Sequence, residues 1–366
     1  MDVKRKKLVG LIHHLEIGGA ERMMVTVLNH FSEDNFEVHL IVFNYRGALK
    51  EQLSPNIIVH DLNIASVSKG ILFCLKEIYS IKPDILFTGI GHLNITLAPF
   101  VTFMKKLLPK SKWIARETNI VSLQNKTANY PKLFDWLYKK FYHHYDVIIA
   151  QSQDMKEDLE DNYFSSDKIV VINNPIDIER VESASKEKSS YSFNPSNINL
   201  LSVSGLREEK RHDLMLKVLS LLPQQYFLTI VGGGEKEMSL KELAKDLGLK
   251  ERVSFEGQQA NPYVYMKKAD LFLLTSEREG FPNVLIEANL LGLPIVAFTC
   301  KGGIEEIIKE GDNGFFVAFG KIETMARKIE FASKYSFDRE AIKESTQKAY
   351  SKDIILNKYE EIFLKD

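Results

Sequence analysis

Two glutamates, Glu279 and Glu287, stand eight residues apart after a predicted strand that ends at Thr275. At about 1.5 Å per helical residue, their carboxylates could lie roughly 12 Å apart. Hydrolytic enzymes that use two carboxylates hold them closer, at roughly 5 to 9.5 Å. The spacing therefore favours two binding groups near the ends of an elongated ligand, and a carboxylate can accept both hydroxyls of a diol such as a ribose.

Between these glutamates the sequence reads Gly280-Phe281-Pro282-Asn283, where a loop passes into a predicted helix. Proline suits the first turn of a helix, and backbone N–H groups at a helix start favour an anion. The N–H groups of Gly280, Phe281 and Asn283 are therefore candidates to bind a pyrophosphate.

A second candidate binding turn is Gly18-Gly19, which follows the first predicted strand and precedes an amphipathic helix. Glycines let a ligand approach the backbone at a helix start, and they also permit turns with a positive φ. The spacing is not the G-x-G-x-x-G dinucleotide pattern, so both interpretations stay open. For residues 232–234, three glycines after another strand, we favour the turn interpretation.

Short runs rich in Val, Ile, Leu and Phe predict parallel strands that alternate with helices. They lie at 8–12, 38–43, 85–87, 113–114, 147–150 and 169–172, and then at 200–203, 227–231, 253–255, 271–275, 295–298 and 315–317. A chain of 366 residues usually exceeds one hydrophobic core. The pattern therefore predicts an α/β protein of two domains.

The domain boundaries follow from composition. Residues 181–197 are rich in Ser and Lys and lack periodicity, which predicts a linker between domains at 1–180 and 198–349. In the tail, residues 350–366, apolar side chains from Ile354 to Phe363 stand near helical spacing. We expect a final helix there that packs on another element.

Charge and cysteine content narrow the possible partners. The net charge is -1, so no strong overall field attracts nucleic acid. The two cysteines, Cys74 and Cys300, lack metal-ligand spacing and are typical of thiols in a reducing compartment. No apolar run approaches the roughly 18 residues of a membrane helix. We expect a cytoplasmic protein without a nucleic-acid partner.

The motifs together resemble those of family four of the retaining GT-B glycosyltransferases, over nearly the whole chain. The resemblance rests on GGAER at 18–22, NPID at 174–177, NPY at 261–263, KAD at 268–270, EREGFPNVLIEA at 277–288, GLPIV at 292–296 and GGIEE at 302–306. It implies two Rossmann-like domains that face each other across a cleft, with the C-terminal helix crossing back to the N-terminal, acceptor-side domain.

The resemblance also implies roles for individual residues. Glu287 would hold the donor ribose, and Glu279 would contact hydroxyls of the transferred sugar. The remaining donor-side positions are Gly18 and Gly19 near the phosphates, Gly257 and Gln258 beside the nucleobase, and Gly280, Phe281, Pro282 and Asn283 near Glu279.

The phosphate-binding segment departs from the family. Its usual G-R-L-x-x-x-K pattern supplies an arginine and a lysine to the pyrophosphate, whereas residues 203–211 read VSGLREEKR. Lys210 matches the lysine, but Gly205 stands where the arginine is expected. Arg207 is either its substitute or a solvated loop residue.

A second departure lies on the acceptor side. Some relatives have a histidine near the transferred sugar, and Glu117 takes that place in the segment 115–119. Arg116, Glu117 and His92 are the acceptor-side candidates, although a lone histidine is more often structural.

Glycosyl transfer separates an anionic nucleoside diphosphate from the sugar, so fixed positive charge on the departing phosphate should be the largest catalytic contribution. No D-x-D metal motif occurs in the sequence, and we expect no metal or other cofactor. Lys210 and the helix start near Gly280 would supply the charge. Retention in this family is attributed to attack from the leaving-group face, which needs no protein nucleophile.

The expected function is transfer of a hexose or N-acetylhexosamine from a nucleotide sugar, with UDP favoured over GDP, to a lipid-linked or surface-glycan acceptor. Two alternatives stay open. One is a non-catalytic nucleotide-sugar-binding subunit, which only Gly205 favours. The other is a GT-B sugar-nucleotide epimerase.

Residues 100–145 contain nine lysines and arginines against only Glu117 and Asp135, with aromatic residues interleaved. This composition suits peripheral contact with an anionic membrane on its cytoplasmic face. A solvated surface over ordinary core aromatics would have the same composition.

Overall fold

The computed structural model describes residues 5–32, 36–188 and 191–365. They form two compact units. The first comprises the chain up to Asn174 together with the chain from Leu356, and the second comprises Pro175–Ile355.

Within the described residues, the first unit contains a seven-stranded parallel sheet in the order β3-β2-β1-β4-β5-β6-β7. Its strands are β1 Lys6–Ile12, β2 Phe36–Val42, β3 Ile58–Asp61, β4 Ile85–Thr88, β5 Lys112–Arg116, β6 Val147–Ala150 and β7 Ile169–Val171. Its helices are α1 Gly19–Ser32, α2 Val67–Ile81, α3 Gly91–Leu107, α4 Val121–Lys126, α5 Pro131–Phe141 and α6 Gln153–Asn162.

The second unit contains a six-stranded parallel sheet, again counted over the described residues, in the order β10-β9-β8-β11-β12-β13. Its strands are β8 Ile198–Val203, β9 Tyr226–Val231, β10 Val253–Phe255, β11 Leu271–Leu274, β12 Ile295–Phe298 and β13 Gly314–Val317. Its helices are α7 Ile178–Ser185, α8 His212–Leu221, α9 Glu237–Asp246, α10 Tyr263–Met266, α11 Asn283–Leu290, α12 Ile304–Ile307, α13 Ile322–Ala332 and α14 Arg339–Tyr350, followed by α15 Lys352–Leu364, which continues into the first unit.

The strand order reverses once in each sheet, between β1 and β4 and between β8 and β11. In such doubly wound sheets, ligands bind outside the carboxyl ends of the strands at the point of reversal. The topology therefore identifies one candidate binding edge in each unit.

The predicted strands are confirmed, with bounds within two residues of those expected. Helices cover both faces of a parallel sheet, so strands such as β4, β11 and β12 are buried along their whole length and read as continuous apolar runs. The strand that the sequence did not predict is β3. It lies at the sheet edge, is only half-buried and ends in His60-Asp61.

The expected linker at 181–197 does not separate the units. Helix α7 covers its start, and Val181 and Ile176 are buried in the core of the second unit. The Tyr191 hydroxyl lies 2.7 Å from Thr229 Oγ1. Because these side chains pack on the second unit, the first boundary lies at Asn174 and not at 180, and the second lies at Ile355 and not at 349. Residues 1–4, 33–35, 189–190 and 366 of the expected domains and linker lie outside the described residues.

The return of the final helix to the first unit is confirmed. Tyr359 and Phe363 of α15 are buried, and the Phe363 ring lies 5.0 Å from that of Phe31 and 5.6 Å from that of Phe87. Lys112 Nζ donates a hydrogen bond of 2.8 Å to the Ile362 carbonyl oxygen near the end of the helix. A cation at that position also complements the helix dipole.

In the part of the chain that the structure describes, every helix falls short of the length and apolar character needed to cross a bilayer.

Candidate active site

An ion pair between Lys210 and Glu279 lies where the second sheet reverses its strand order. Lys210 is in the turn after β8 and Glu279 is in the loop after β11, and these strands are neighbours. Lys210 Nζ donates to both carboxylate oxygens of Glu279, at 2.7 and 2.8 Å. The side chains are 18% and 10% exposed, so a ligand at this edge can reach both. The structure therefore brings two predicted catalytic residues together, 69 positions apart in sequence.

The end of β11 fixes the turn that carries Lys210. Thr275 Oγ1 lies 3.1 Å from the carbonyl oxygen of Lys210 and 3.0 Å from that of Arg211. Arg211 has a φ of 50°, in the left-handed region that non-glycine residues rarely occupy. Such strain persists only where the surroundings hold it. The buried Thr275 hydroxyl is one such contact, and it ties the Lys210 turn to the strand that leads to Glu279.

The loop after β12 supports Glu279 from behind. The Glu279 N–H donates to the Lys301 carbonyl oxygen at 3.2 Å. Gly302 has a φ of 126°, and a Cβ there would lie 2.4 Å from the Glu279 carbonyl oxygen. Only glycine lets the two backbones approach this closely. Three loops, after β8, β11 and β12, therefore determine the position of the ion pair.

Glu287 has a different environment. It lies in α11, and its Oε1 accepts a hydrogen bond of 3.1 Å from the hydroxyl of Tyr263. The two carboxylates thus have separate partners, a lysine and a tyrosine. This supports their interpretation as two binding groups.

The loop between the glutamates is tighter than predicted. Pro282 immediately precedes α11 and Phe281 is buried. The N–H of Asn283 donates to the Phe281 carbonyl oxygen at 2.9 Å, so an anion at this amide would have to replace that contact. Gly280 and Phe281 remain the backbone candidates for a phosphate.

The Arg207 side chain lies next to Gly205, the position at which the family arginine is missing. An ideal Cβ at Gly205 would lie 3.2 Å from Arg207 Nε and 3.6 Å from Nη2. The guanidinium thus lies over Gly205. The Arg207 side chain is 63% exposed, and its ion pair with Glu209 is long, at 3.7 Å. The placement agrees with a cation supplied from two residues further along the chain.

The loops after β8, β9 and β10 meet at the same edge. The Gly232 N–H donates to the Gly257 carbonyl oxygen at 2.8 Å, and a Cβ at Gly233 would lie 3.8 Å from the backbone nitrogen of Gln258. Gly232 has a φ of 143°, and a Cβ there would lie 1.9 Å from the Ser204 carbonyl oxygen. The turn interpretation of these glycines is confirmed. Gly257 and Gln258 stand at the strand ends where a nucleobase was expected.

In the first unit, neither Gly18 nor Gly19 has a positive φ, so the turn interpretation is wrong for this pair. Gly19 begins α1, and a Cβ there would meet no atom within 4 Å. This open space at a helix start agrees with close approach of a ligand to the backbone.

His92 is not a lone histidine. It lies at the start of α3, after β4, and its ring lies 5.6 Å from that of His13, which follows β1. The His14 ring is 4.9 Å from His13. The pKa of His92 is lowered, first because protein atoms displace part of its hydration and then because the two imidazoles oppose its charge. The three rings lie where the first sheet reverses its strand order. Of the residues that the structure describes, no three His, Cys, Asp or Glu are arranged to hold a metal ion.

Arg116 and Glu117, expected on the acceptor side, are 1% and 0% exposed, so their side chains do not reach the surface in this structure. Glu117 Oε1 accepts hydrogen bonds from the Tyr142 hydroxyl, from the Tyr138 hydroxyl at 3.3 Å and from Asn94 Nδ2 at 3.2 Å. Burial raises the pKa of Glu117, and these hydrogen bonds oppose the shift. Asn94 is in the first turn of α3, so the network supports the helix start that carries His92.

Two family models match the chain in succession. The model of Glycosyltransferase Family 4 matches residues 17–180, and that of Glycosyl transferases group 1 matches residues 183–349. The chain belongs to glycosyltransferase family four. The matched ranges cover every strand of the two described sheets except β1, and His92, Lys210, Glu279 and Glu287 of this glycosyltransferase lie within them.

Individual relatives agree with this assignment. An uncharacterized glycosyltransferase of Methanocaldococcus jannaschii is 30% identical over 64% of this chain and 60% of its own length. The N-acetylgalactosamine-N,N'-diacetylbacillosaminyl-diphospho-undecaprenol 4-alpha-N-acetylgalactosaminyltransferase of Campylobacter jejuni is 29% identical over 85% of this chain and 86% of its own length. The crystal structure of Anabaena HepE in complex with UDP and glucose superposes with a TM-score of 0.76 at 19% identity, over 98% of this chain and 99% of that one. The GT-B fold expected for the glycosyltransferase is confirmed.

Sequence reasoning missed several residues that build this site. Thr275 appeared only as the end of a strand, Tyr263 only as part of the NPY motif, and His212 not at all. The contacts of Thr275 and Tyr263 join segments that are distant in sequence, so no local pattern indicates them.

His212 begins α8, two residues after Lys210, and is buried. Burial, and secondarily the charge of Lys210, lowers its pKa to about 4. Its Nε2 lies 3.1 Å from Ser204 Oγ. A neutral imidazole here adds no positive charge beside Lys210.

The pKa of His212 predicts an acid-sensitive second unit. Between pH 6.5 and about 4 the unfolded chain binds a proton at this histidine and the folded chain does not, so the free energy of unfolding falls as the pH falls. The complete loss at this site is about 3 kcal/mol, since one pKa unit corresponds to about 1.4 kcal/mol. Urea unfolding followed by far-UV circular dichroism between pH 7 and 4 should show a shallower pH dependence for His212→Gln than for wild type. The control His30→Gln should follow the wild type, and equal slopes for His212→Gln and wild type would contradict the prediction.

Proposed function

We propose that this glycosyltransferase moves a hexose or N-acetylhexosamine from a UDP-sugar to a hydroxyl of a lipid-linked or surface-glycan acceptor, with retention and without a metal ion. The second unit binds the donor, and the first unit supplies acceptor-side groups.

The Lys210–Glu279 ion pair carries the proposal. A donor places its pyrophosphate against Lys210 and its sugar hydroxyls against Glu279. Lys210 then pairs with the pyrophosphate in place of Glu279, and Glu279 accepts the sugar hydroxyls in place of Lys210. The bond from the anomeric carbon to the phosphate oxygen breaks, the bond to the acceptor oxygen forms on the same face, and the acceptor proton passes to the departing phosphate. Lys210 stabilises the charge that develops there.

Several features support a uridine diphosphate donor. The similar fold of HepE binds UDP and glucose, and the Campylobacter relative is named as an N-acetylgalactosaminyltransferase. Glu287, on a helix beside the Glu279 loop, suits the ribose diol. The edge formed by Gly257 and Gln258 suits the base.

A lipid-linked acceptor is supported by the name of the same Campylobacter enzyme, which includes diphospho-undecaprenol. In the first unit the acceptor-side candidates are His92 with His13 and His14, at the reversal of the strand order. The cytoplasmic face of a membrane is where we propose that the enzyme works.

The proposed membrane contact within 100–145 is smaller than the sequence suggested. Trp113, Tyr138 and Tyr142 are buried in the core, so they are unavailable to a bilayer. What remains is an α3–α5 surface, whose exposed apolar members are Phe103, Leu107, Leu133 and Trp136 and whose exposed lysines are Lys106, Lys132, Lys139 and Lys140. A bulky aromatic among lysines suits the headgroup region of an anionic bilayer.

The first test is a calorimetric panel of UDP, GDP and their sugars with EDTA present throughout. Wild type should bind UDP and its sugars in preference to GDP, and Glu287→Ala should weaken binding about tenfold or more, since hydrogen bonds to a charged group contribute roughly 1.5 to 3 kcal/mol. Binding that needs a divalent ion would contradict metal independence. Failure of every nucleotide to bind would overturn the enzyme proposal, and donor isomerisation without transfer would favour an epimerase.

The second test moves the proposed phosphate-binding arginine from position 207 to position 205. Arg207→Ala should lower turnover, and Gly205→Arg combined with Arg207→Ala should restore it, because the Cβ of the new side chain would start 3.2 Å from the present position of Arg207 Nε. Lys210→Ala is the reference, with an expected loss of roughly 100- to 1000-fold. Lys217→Ala, which removes an exposed partner of Asp213, is the control. Turnover of Arg207→Ala within twofold of wild type would show that Arg207 is a solvated loop residue and does not replace the missing arginine.

The third test is co-sedimentation with vesicles. Binding to vesicles with anionic lipid should exceed binding to neutral vesicles, should fall with salt, and should decrease in Phe103→Ser/Trp136→Ser. Leu221→Ser/Met238→Ser removes two exposed apolar side chains of the second unit and should bind like wild type. Equal binding to anionic and neutral lipid would remove the proposed contact.

A further inference from the structure

A hydrogen-bonded relay lies behind Glu287, within the second unit. Arg180 Nη2 donates to the hydroxyl oxygen of Tyr263 at 2.9 Å, and that hydroxyl donates to Glu287 Oε1 at 3.1 Å. The Arg180 guanidinium carbon also lies 5.7 Å from the centre of the Tyr263 ring. The three residues come from α7, α10 and α11, so the relay joins three helices.

The direction of this relay is fixed by chemistry. A guanidinium has donors and no acceptor, so the Tyr263 oxygen can only accept from Arg180. Its one hydrogen is then directed at Glu287. A hydroxyl polarised by a cation donates more strongly than an isolated phenol, because hydrogen bonds in a chain reinforce each other.

The backbone of Arg180 and the side chain of Tyr263 are held in place, while the Arg180 side chain is exposed. The Asp177 carboxylate caps α7 by accepting the N–H of Arg180 at 3.0 Å, and the next residue, Val181, is completely buried. Tyr263 is 6% exposed. Rotation of the Glu287 side chain therefore requires breaking a hydrogen bond to a side chain that cannot follow it.

From this geometry we infer that Arg180 and Tyr263 are positioning residues that hold the Glu287 carboxylate in place for the donor ribose. They thereby set the preference for a ribonucleotide over a nucleotide that lacks the ribose hydroxyls. The inference rests on the proposed function, since it assigns Glu287 to the ribose. The inference adds Arg180, which directly precedes the predicted linker at 181–197, to the residues that support the donor site.

If the relay had only a structural role, its loss would affect stability and nucleotide affinity in a different way. Loss of a structural hydrogen bond would lower stability and would weaken every nucleotide equally. A positioning role acts only through the ribose hydroxyls. Substitution of Tyr263 or Arg180 should therefore have no effect on the affinity for a nucleotide that lacks those hydroxyls. The ratio of ribonucleotide to dideoxynucleotide affinity therefore separates the two roles.

The experiment is calorimetric binding of UDP and GDP and of their 2′,3′-dideoxy forms to the full chain. For the nucleotide that binds, wild type should prefer the ribonucleotide, and Glu287→Gln should reduce that preference about tenfold or more. Tyr263→Phe and Arg180→Ala should each reduce the ribonucleotide affinity several-fold and leave the dideoxynucleotide affinity unchanged. With the sugar nucleotide as substrate, KM should rise in both variants while kcat stays within about twofold.

Matched controls address folding and unspecific effects. Tyr226→Phe removes a buried hydroxyl of the same unit, one that lies 2.8 Å from Ser333 Oγ and makes no contact with Glu287, and it should keep the wild-type preference. Arg327→Ala, on α13, is the control for Arg180→Ala.

The outcomes distinguish the two proposals. Equal affinity of wild type for the ribo and dideoxy forms, or no binding of either nucleotide, would remove the ribose role of Glu287 and the relay with it. A preference that is lost in Glu287→Gln but intact in Tyr263→Phe and Arg180→Ala would preserve the proposed function and overturn the relay alone.

Discussion

The ion pair between Lys210 and Glu279 is the constraint on which the second unit depends. It joins the loops after β8 and β11, the two strands between which the sheet reverses its order. An ammonium and a carboxylate, each with limited exposure, are stable there only if each has a partner. Contacts of two other residues keep the lysine and the glutamate in position to pair. Thr275 fixes the turn of the lysine, and Gly302 lets the next loop approach the backbone of the glutamate.

The first unit uses buried polar groups in a different way. Glu117 is surrounded by two tyrosine hydroxyls and the Asn94 amide, at the end of β5, and does not reach the surface. Asn94 also donates to the Arg116 carbonyl oxygen at 2.8 Å, which ties the start of α3 to the neighbouring strand. The hydrogen bonds to Glu117 are all made by its Oε1 and connect the helix start to the core, while Oε2 of the same carboxylate is buried without a hydrogen-bond partner. The histidines at the same edge are thus placed by residues that are themselves buried.

The sequence predicts the architecture well because parallel strands covered on both faces must be apolar along their length. It fails at β3, whose edge position lets it carry His60 and Asp61. It also fails at 181–185, because the polar composition of α7 hides the single buried face that contains Val181. Glu279, Glu287 and Lys210 are found from local motifs. The roles of Tyr263 and Arg180 are not, even though Tyr263 belongs to the NPY motif, since these roles depend on three helices that meet only in the folded chain.

The charged candidates of the second unit share one physical property, which is that folding provides each with a partner before any ligand arrives. Lys210 has Glu279, and Glu287 has the hydroxyl of Tyr263 backed by Arg180. Leaving a buried charge unpaired is costly, so an empty site made of isolated charges would destabilise the fold. A ligand that carries both a pyrophosphate and hydroxyls can replace these partners one for one, with little reorganisation of the loops. The internal pairing therefore agrees with the proposed donor, whose pyrophosphate would match the lysine and whose hydroxyls would match the two glutamates.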